Sequence, residues 1–365
     1  MKQLINRTKR ATERVRRHGG LFAATGTAMR VLYHEGWNGL RARLSAPSAA
    51  AAARSIHAWN RPADEDDFAF ELPFGHPAPR DQRRACAIVH AYYPELCAEI
   101  RRYLENVPSQ LDVYISTTSS AKRDEILRIF DGYARGSVEV RVFENRGRDI
   151  APKIVGFRDV YQRYDIALSL HTKKSPHAGA DLEGWREYLY EHLLGSPEIV
   201  ASNFELLAQN RIGMVFPQHF FFLRNILGWG ANFAACRALL SRMGIVIDEN
   251  IMLECPTGSM FWCRTNALAK LLELNLQFAD FEDEAGQIDG TLAHAIERAF
   301  LYAVEAQGYR WAKVALPDRY PLNETLVPVR RPEDIEEGMH KVFRPLLAPS
   351  AKAIFPSNAL HREIC

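Results

Sequence analysis

The chain has 365 residues, 47% hydrophobic and 25% charged, a balance that excludes a disordered or collagen-like polymer and reads as globular. A formal net charge of +2 argues against nucleic acid as a partner, although the charge is partly segregated. No apolar run approaches the roughly 18 residues of a membrane span, and no apolar stretch follows the basic start as in a secretory leader, so the expected location is the cytoplasm.

Residues 1–60 read as a basic helical appendage broken at Gly19 and Gly20. In its second half Met29, Leu32, Tyr33, Trp37 and Leu40 recur at helical spacing beside Arg30, Arg41 and Arg43. Two uses fit: lying peripherally on the inner, anionic membrane surface through residues 1–45, or packing on a protein with a solvated basic face. Residues 61–84 are Pro-rich and read as a linker. The main domain is expected over 85–316, with a charged, Pro-rich extension over 317–365.

From residue 85 the pattern is regular. Strands are expected in "ACAIVHAYY", "LDVYISTTS", "VEVRVFEN" and "DIALSLHT", each but the last followed by a helix: "PELCAEIRRYLENV", "AKRDEILRIFDGY" and "IAPKIVGFRDVYQRY". This alternation predicts an α/β fold, a mostly parallel sheet flanked by helices on both faces. Further on, "EGWREYLYEHLLG" and "SPEIVASNFELLAQN" read as helices and "IGMVFPQH" as a strand. "FFFLRNILGWGANFAACRALLSRMG" reads as mostly helical, "PTGSMFWCRTNALAKLLEL" as a strand entering a helix, "IDGTLAHAIERAFLYAVEAQG" as a helix and "YRWAKVAL" as a closing strand. The six cysteines form no Cys-x-x-Cys pair and no zinc spacing, so buried reduced thiols are expected.

Ligands of such sheets bind beyond the carboxyl ends of the strands. Here those ends are all polar: His90 to Tyr93, Ser116 to Ser119, Asn145 to Asp149 and His171 to Lys174. Taken together, "ENRGRDIAP", "LSLHTKKS", "PTGSMFW" with Arg264, and "DGTLAHAIER" resemble the rhamnan synthesis F family of bacterial cell-surface polysaccharide proteins, over about residues 85–312. The resemblance implies a glycosyltransferase-A-like (Rossmann-like) fold and a nucleotide-sugar donor. It also implies a part in lipopolysaccharide O-antigen or rhamnan synthesis on a lipid-linked or growing glycan acceptor.

Sugar transfer from a nucleotide diphosphate needs a stabilised leaving group, a base for the acceptor hydroxyl, and tolerance of positive charge on the sugar. Where metal-dependent relatives carry acidic metal ligands, this chain has His171, Thr172, Lys173 and Lys174. Those residues do not make a hard oxygen cage, so no cofactor is expected. Lys173 and Lys174, joined by Arg146 and Arg148, suit phosphate as cations. A solvated basic loop, His171 as a lone metal ligand, or a divalent ion held by acids near residue 283 are the alternatives.

Asn145 and Gly147 fit a tight turn. Asp149 is either the N-cap of the next helix or, as the resemblance implies, a partner for a ribose or sugar hydroxyl. His90 and Tyr92 are placed to contact a nucleobase, with packing the rival role for Tyr92 and Tyr93. Thr117 and Ser119 stand where the larger glycosyltransferase family keeps acidic residues, which leaves the base open. By the order of features in that family, Asp289 is the expected general base, with Glu282, Asp283 and Glu284 as alternatives; an N-cap role can coexist. His294 lies near the same helix face, and Arg298 suits a carboxylate or phosphate. Gly258, Ser259 and Trp262 are expected to line the acceptor or donor-sugar pocket, Phe261 to pack in the core. Trp229 and Asn232 sit in an acceptor loop, a lid, or simply a hydrophobic helix. Two functions follow: an inverting, metal-independent hexosyltransferase using activated rhamnose or another deoxyhexose, or a non-catalytic nucleotide-sugar or glycan-binding module of a polysaccharide assembly complex. No Ser/His/Asp or Cys/His spacing favours a hydrolase.

Overall fold

The computed structural model describes residues 67–77, 81–172, 184–209, 211–250, 252–284 and 289–347. Strands β1 (Ala69–Glu71), β2 (Ala85–His90), β3 (Leu111–Thr117), β4 (Val138–Val142), β5 (Ile166–His171), β6 (Ile212–Pro217), β7 (Phe261–Arg264), β8 (Arg310–Ala315) and β9 (Leu326–Val327) join in one sheet. Its order is β4-β3-β2-β5-β7-β6-β8-β1-β9. Among the described strands only β7 runs antiparallel to its neighbours, β5 and β6. The carboxyl ends of β2, β3, β4, β5, β6 and β8 therefore share one edge, as the sequence pattern predicts.

The inner strands are apolar runs because both faces of the sheet are covered, whereas the edge strand β4 is only partly buried. All six residues of β2 are buried. Cys86 and Ile88 join one core, while Ala85, Ala87 and Val89 join the other, following the two-residue pleat. On the first face lie the segment 150–161, helix α6 (Phe233–Ser241) and α8 (Leu292–Ala306). On the second lie α1 (Cys97–Leu104), α2 (Ser120–Ile129), α4 (Trp185–Leu194), α5 (Pro197–Ala208) and α9 (Asp334–Val342). Short helices α3 (Arg158–Tyr161) and α7 (Ala269–Leu272) complete the described set. Local signals start α2 and α5: Ser119 and Ser196 accept from the third backbone N–H beyond, and Pro197 follows Ser196.

Three expectations need correction. The sheet runs beyond both ends of the 85–316 domain, since β1 pairs with β8 and β9 with β1. Strands of three and two residues are too short to print an alternating pattern, and Ile335, Met339 and Val342 of α9 bury a further apolar stripe. Next, the segment after β6 is not one helix. A 3₁₀ turn (Phe221–Ile226) and Gly230 at φ 57° separate β6 from α6. Finally, "IAPKIVGFRDVYQRY" is not a plain α-helix, because it contains a π-helical turn over Pro152–Gly156.

Candidate active site

The strand-end residues converge as their register requires: His90 lies opposite both Ser116 on β3 and His171 on β5. His90 Nδ1 is 2.9 Å from Ser116 Oγ. Thr117 donates to the Ala91 carbonyl at 2.9 Å, and Thr172 Oγ1 accepts from the Tyr93 amide at 3.0 Å. These hydroxyls satisfy backbone groups where the strands splay, so both threonines are buried structural parts of the edge. Ser119 caps α2, and its hydroxyl is occupied by the Lys122 amide. Tyr92 is exposed (38%), with the Lys122 ammonium 4.0 Å from its ring centroid.

The 145–149 turn delivers Asp149 into this edge. Gly147 and Arg148 are both left-handed, at φ 70° and 55°. A Cβ on residue 147 would stand 2.5 Å from the Ala151 Cβ and 2.6 Å from the Phe281 ring, so glycine is required there. Lys153 follows four residues later, in the π turn, and pairs with Asp149. Lys153 Nζ donates to Asp149 Oδ2 at 2.8 Å and to the Ser259 carbonyl at 2.9 Å. Burial opposes charge on Asp149, but Lys153, His171 and His90 outweigh it and hold the carboxyl well below its usual range. Burial brings His90 down to about 4, against the pull of Asp149, so the imidazole is neutral at neutral pH.

A second left-handed pair, Gly258 (φ 79°) and Ser259 (φ 54°), faces the first. Its carbonyls turn toward the strand ends: His171 Nε2 is 2.6 Å from Gly258 O, and Ser169 Oγ donates to Ser259 O at 2.7 Å. The Gly258 amide donates to Glu297 Oε1 on α8 at 3.2 Å. Gly258 and Ser259 thus enter the site through their backbone.

Asp289 stands two residues before Thr291, the N-cap of α8, so it does not cap that helix. Its Oδ1 accepts from Asn232 Nδ2 at 2.5 Å and its Oδ2 from the Ala231 amide at 3.2 Å. Burial would raise its pKa, but these two bonds, Arg298 and His294 bring it down. His294 Nδ1 is 2.7 Å from Thr291 Oγ1, and Arg298 donates to the Gly228 and His294 carbonyls. His294, Glu297 and Arg298 share one helical face, so α8 links Asp289 to the Gly258 turn.

The remaining acids are tied to the 145–149 turn or to α8. Asp283 pairs with Arg146, Glu284 Oε1 accepts from the Arg148 amide at 2.7 Å, and Glu282 accepts from the Leu292 amide at 3.1 Å. Arg146 is therefore already neutralised, and Glu282 and Asp283 act as clasps. Asn145 is exposed at the tip of the turn. Trp262 and Trp229 are fully buried, so Trp262 does not line a sugar pocket and Trp229 belongs to the core rather than to an open acceptor loop. Trp262 lies edge-on to Phe204 (4.8 Å, 87°) and donates to the Leu193 carbonyl; Trp229 packs on Phe233 and Tyr302. Both sit where the sheet or α8 has another layer above it. Lys173, Lys174 and residues 285–288 lie outside the described residues.

Lys153 takes part without having been singled out from sequence. The available signal for Lys153 was a lone cation inside the apolar "APKIVGF", four residues after Asp149. Among the described residues no cluster of three or more His, Cys, Asp or Glu is arranged to hold a metal. A cavity of about 770 Å³ opens at the opposite, amino-terminal edge, by Arg84, Gln110 and Asp112. Arg83 there is bound to Asp81 and to the carbonyls of Phe204 and Leu207, so the convergent chemistry lies at the carboxyl edge instead.

The family model "Rhamnan synthesis protein F" matches residues 74–309. An uncharacterized protein, WxcX, of Xanthomonas campestris pv. campestris strain B100 is 36% identical over 229 residues, covering 62% of this chain and 32% of the relative. Its counterpart in a second strain of that organism matches equally. The chain thus spans about a third of the length of these curated relatives. A Pyrobaculum calidifontis mannosyltransferase, solved with GDP-mannose and Mn²⁺, is 14% identical with TM-score 0.36, covering 68% of this chain and 60% of its own. A 4-diphosphocytidyl-2C-methyl-D-erythritol synthase of Anaerococcus prevotii is 12% identical with TM-score 0.34, covering 70% and 94%.

Proposed function

The chain belongs to the rhamnan synthesis protein F family, and from that premise we propose that it is a glycosyltransferase-A-like enzyme of bacterial cell-surface polysaccharide synthesis, taking sugar from a nucleotide-sugar donor. The observation that carries this reading is the ionised Asp149 at the carboxyl edge. Lys153 holds one of its oxygens, and no described residue bonds the other. A carboxylate so placed accepts a donor hydroxyl. Arg148, with Lys173 and Lys174, would then neutralise the diphosphate without a metal ion. Asp289 would take the acceptor hydroxyl proton as that oxygen attacks the anomeric carbon. The bond to the diphosphate oxygen breaks on the opposite face, so the configuration inverts. Each oxygen of Asp289 keeps a lone pair beside its bond to the 231–232 loop. Activated rhamnose or another deoxyhexose as donor, O-antigen or rhamnan as product, and a lipid-linked or growing glycan as acceptor complete the proposal. Residues 1–45 would bring the chain to the inner membrane face.

Isothermal titration with nucleoside diphosphates and nucleotide sugars, each with Mn²⁺ and with EDTA, tests the donor and the metal. Binding unchanged by EDTA is expected; binding only with Mn²⁺ refutes the metal-free site. Asp289→Asn should lower transfer by about 100-fold or more while leaving donor affinity unchanged. The clasp of Asp289 on Asn232 and Ala231 favours one rival, in which the carboxylate is only structural and the protein is a binding module. Full glycan synthesis by Asp289→Asn would decide for that rival.

A further inference from the structure

We propose that Lys153 is a positioning residue of the donor site: its ammonium, fixed between Asp149 Oδ2 and the Ser259 carbonyl, keeps the Asp149 carboxylate charged and oriented, with Oδ1 left for a ligand hydroxyl. The inference deepens the proposed function and rests on it for the ligand, but not for the state of Asp149.

Burying a lysine is costly, and Lys153 is 1% exposed, a place that an apolar side chain of similar length would fill. What Met or Leu would lack is three N–H donors. Two of those donors are used on groups from different elements: the Asp149 carboxylate after the first left-handed turn, and Ser259 O in the second. One ammonium thereby locks the two turns that frame the site. Lys153 stands four residues after Asp149, the spacing that brings two side chains to one helical face. Ser169 of β5 donates to the same Ser259 carbonyl, so the anchor at that end is fixed from the sheet as well.

Asp149 faces Lys153 on its own segment, His171 on β5 and His90 on β2. Lys153 faces Asp149 and, from α8, Glu297; His90 faces Lys122 from α2 in addition. Burial keeps His90 neutral. Without Lys153, desolvation would dominate at Asp149 and its carboxyl would titrate upward.

The test has two arms, both on the full chain. In the first, carbon NMR of aspartate ¹³Cγ, with the Asp149 signal assigned by its loss in Asp149→Asn, follows ionisation without any ligand. Wild-type Asp149 should stay ionised down to about pH 4, and in Lys153→Met it should titrate above about pH 5. A wild-type midpoint above about pH 5, or an unchanged titration in Lys153→Met, overturns the proposal. Should Lys153→Met not fold, the wild-type titration decides. In the second arm, UDP, GDP, CDP and dTDP are titrated at pH 7.5 and 5.5, and the tightest binder is the probe. The ratio of variant to wild-type affinity, which cancels the probe's own phosphate titration, should fall about tenfold between the two pH values. An equal loss at both pH values marks a merely structural lysine and overturns the proposal. Failure of wild type to bind all four counts against the donor reading, and the carbon titration then decides the role of Lys153.

Discussion

His90 shows how one buried residue ties the site to pH. The residue is 7% exposed, and its ring is bonded to Ser116 and neutral in the fold, with a pKa of about 4. In the unfolded chain it would titrate near 6.5. The unfolded state therefore binds the proton first. Stability from neutral His90 is complete above pH 6.5 and is lost as pH falls from 6.5 toward 4. The size is about 2 to 3 kcal/mol between pH 7.5 and 4.5. His90→Gln should lose that much less stability than wild type over the same interval, measured by urea unfolding at both pH values. Parallel losses in the two proteins would show that His90 is not buried neutral. At this scale sequence reading brought these polar residues to one strand edge, but the structure gives several of them other partners. Thr117, Ser119 and Thr172 are polar strand-end residues, and their hydroxyls already serve the backbone.

Elements are held in place unequally. At the carboxyl ends of β6 and β8, Lys313 bonds Asp67 and lies 3.1 Å from Glu254; Arg224 lies 3.0 Å from Asp67, and His219 pairs with Glu254. All five side chains are at most 3% exposed. This network fastens the segment before β1, the loop after β6 and the 252–259 approach to the Gly258 turn onto β8. Removing one partner from a buried cluster leaves uncompensated charge, so Lys313→Met should cost about 3 to 5 kcal/mol. The Arg319–Glu191 pair is half exposed on the arginine side, and Arg319→Ala should cost under about 1 kcal/mol. Guanidinium unfolding of both variants checks the contrast, and similar costs would contradict it. Periodicity located most of these elements because a doubly covered strand has to be apolar throughout. It could not locate β1 and β9, whose few residues join the sheet only through distant pairing, β1 on β8 and β9 on β1.

The whole chain includes a basic segment that the described residues do not cover. If residues 1–45 meet an anionic membrane, the full chain should cosediment with phosphatidylglycerol–phosphatidylethanolamine vesicles at low salt and be released at high salt, where screening shortens the reach of the charges. Deleting residues 1–45 should abolish cosedimentation, and equal binding by the deletion variant would refute membrane contact through that segment. Among the described residues no helix is long and apolar enough to cross a membrane. The sequence by itself determined the α/β class, the strand edge that carries the polar residues, and the family, because burial on both faces and turn chemistry are local demands written into neighbouring residues. Only the tertiary structure decided which of those polar groups remain available. Arg146 is neutralised by Asp283 across 137 positions, Lys153 reaches Ser259 across 106, and Trp262 is covered by α5. Such pairings are set by how distant segments pack together, and no local spacing records them.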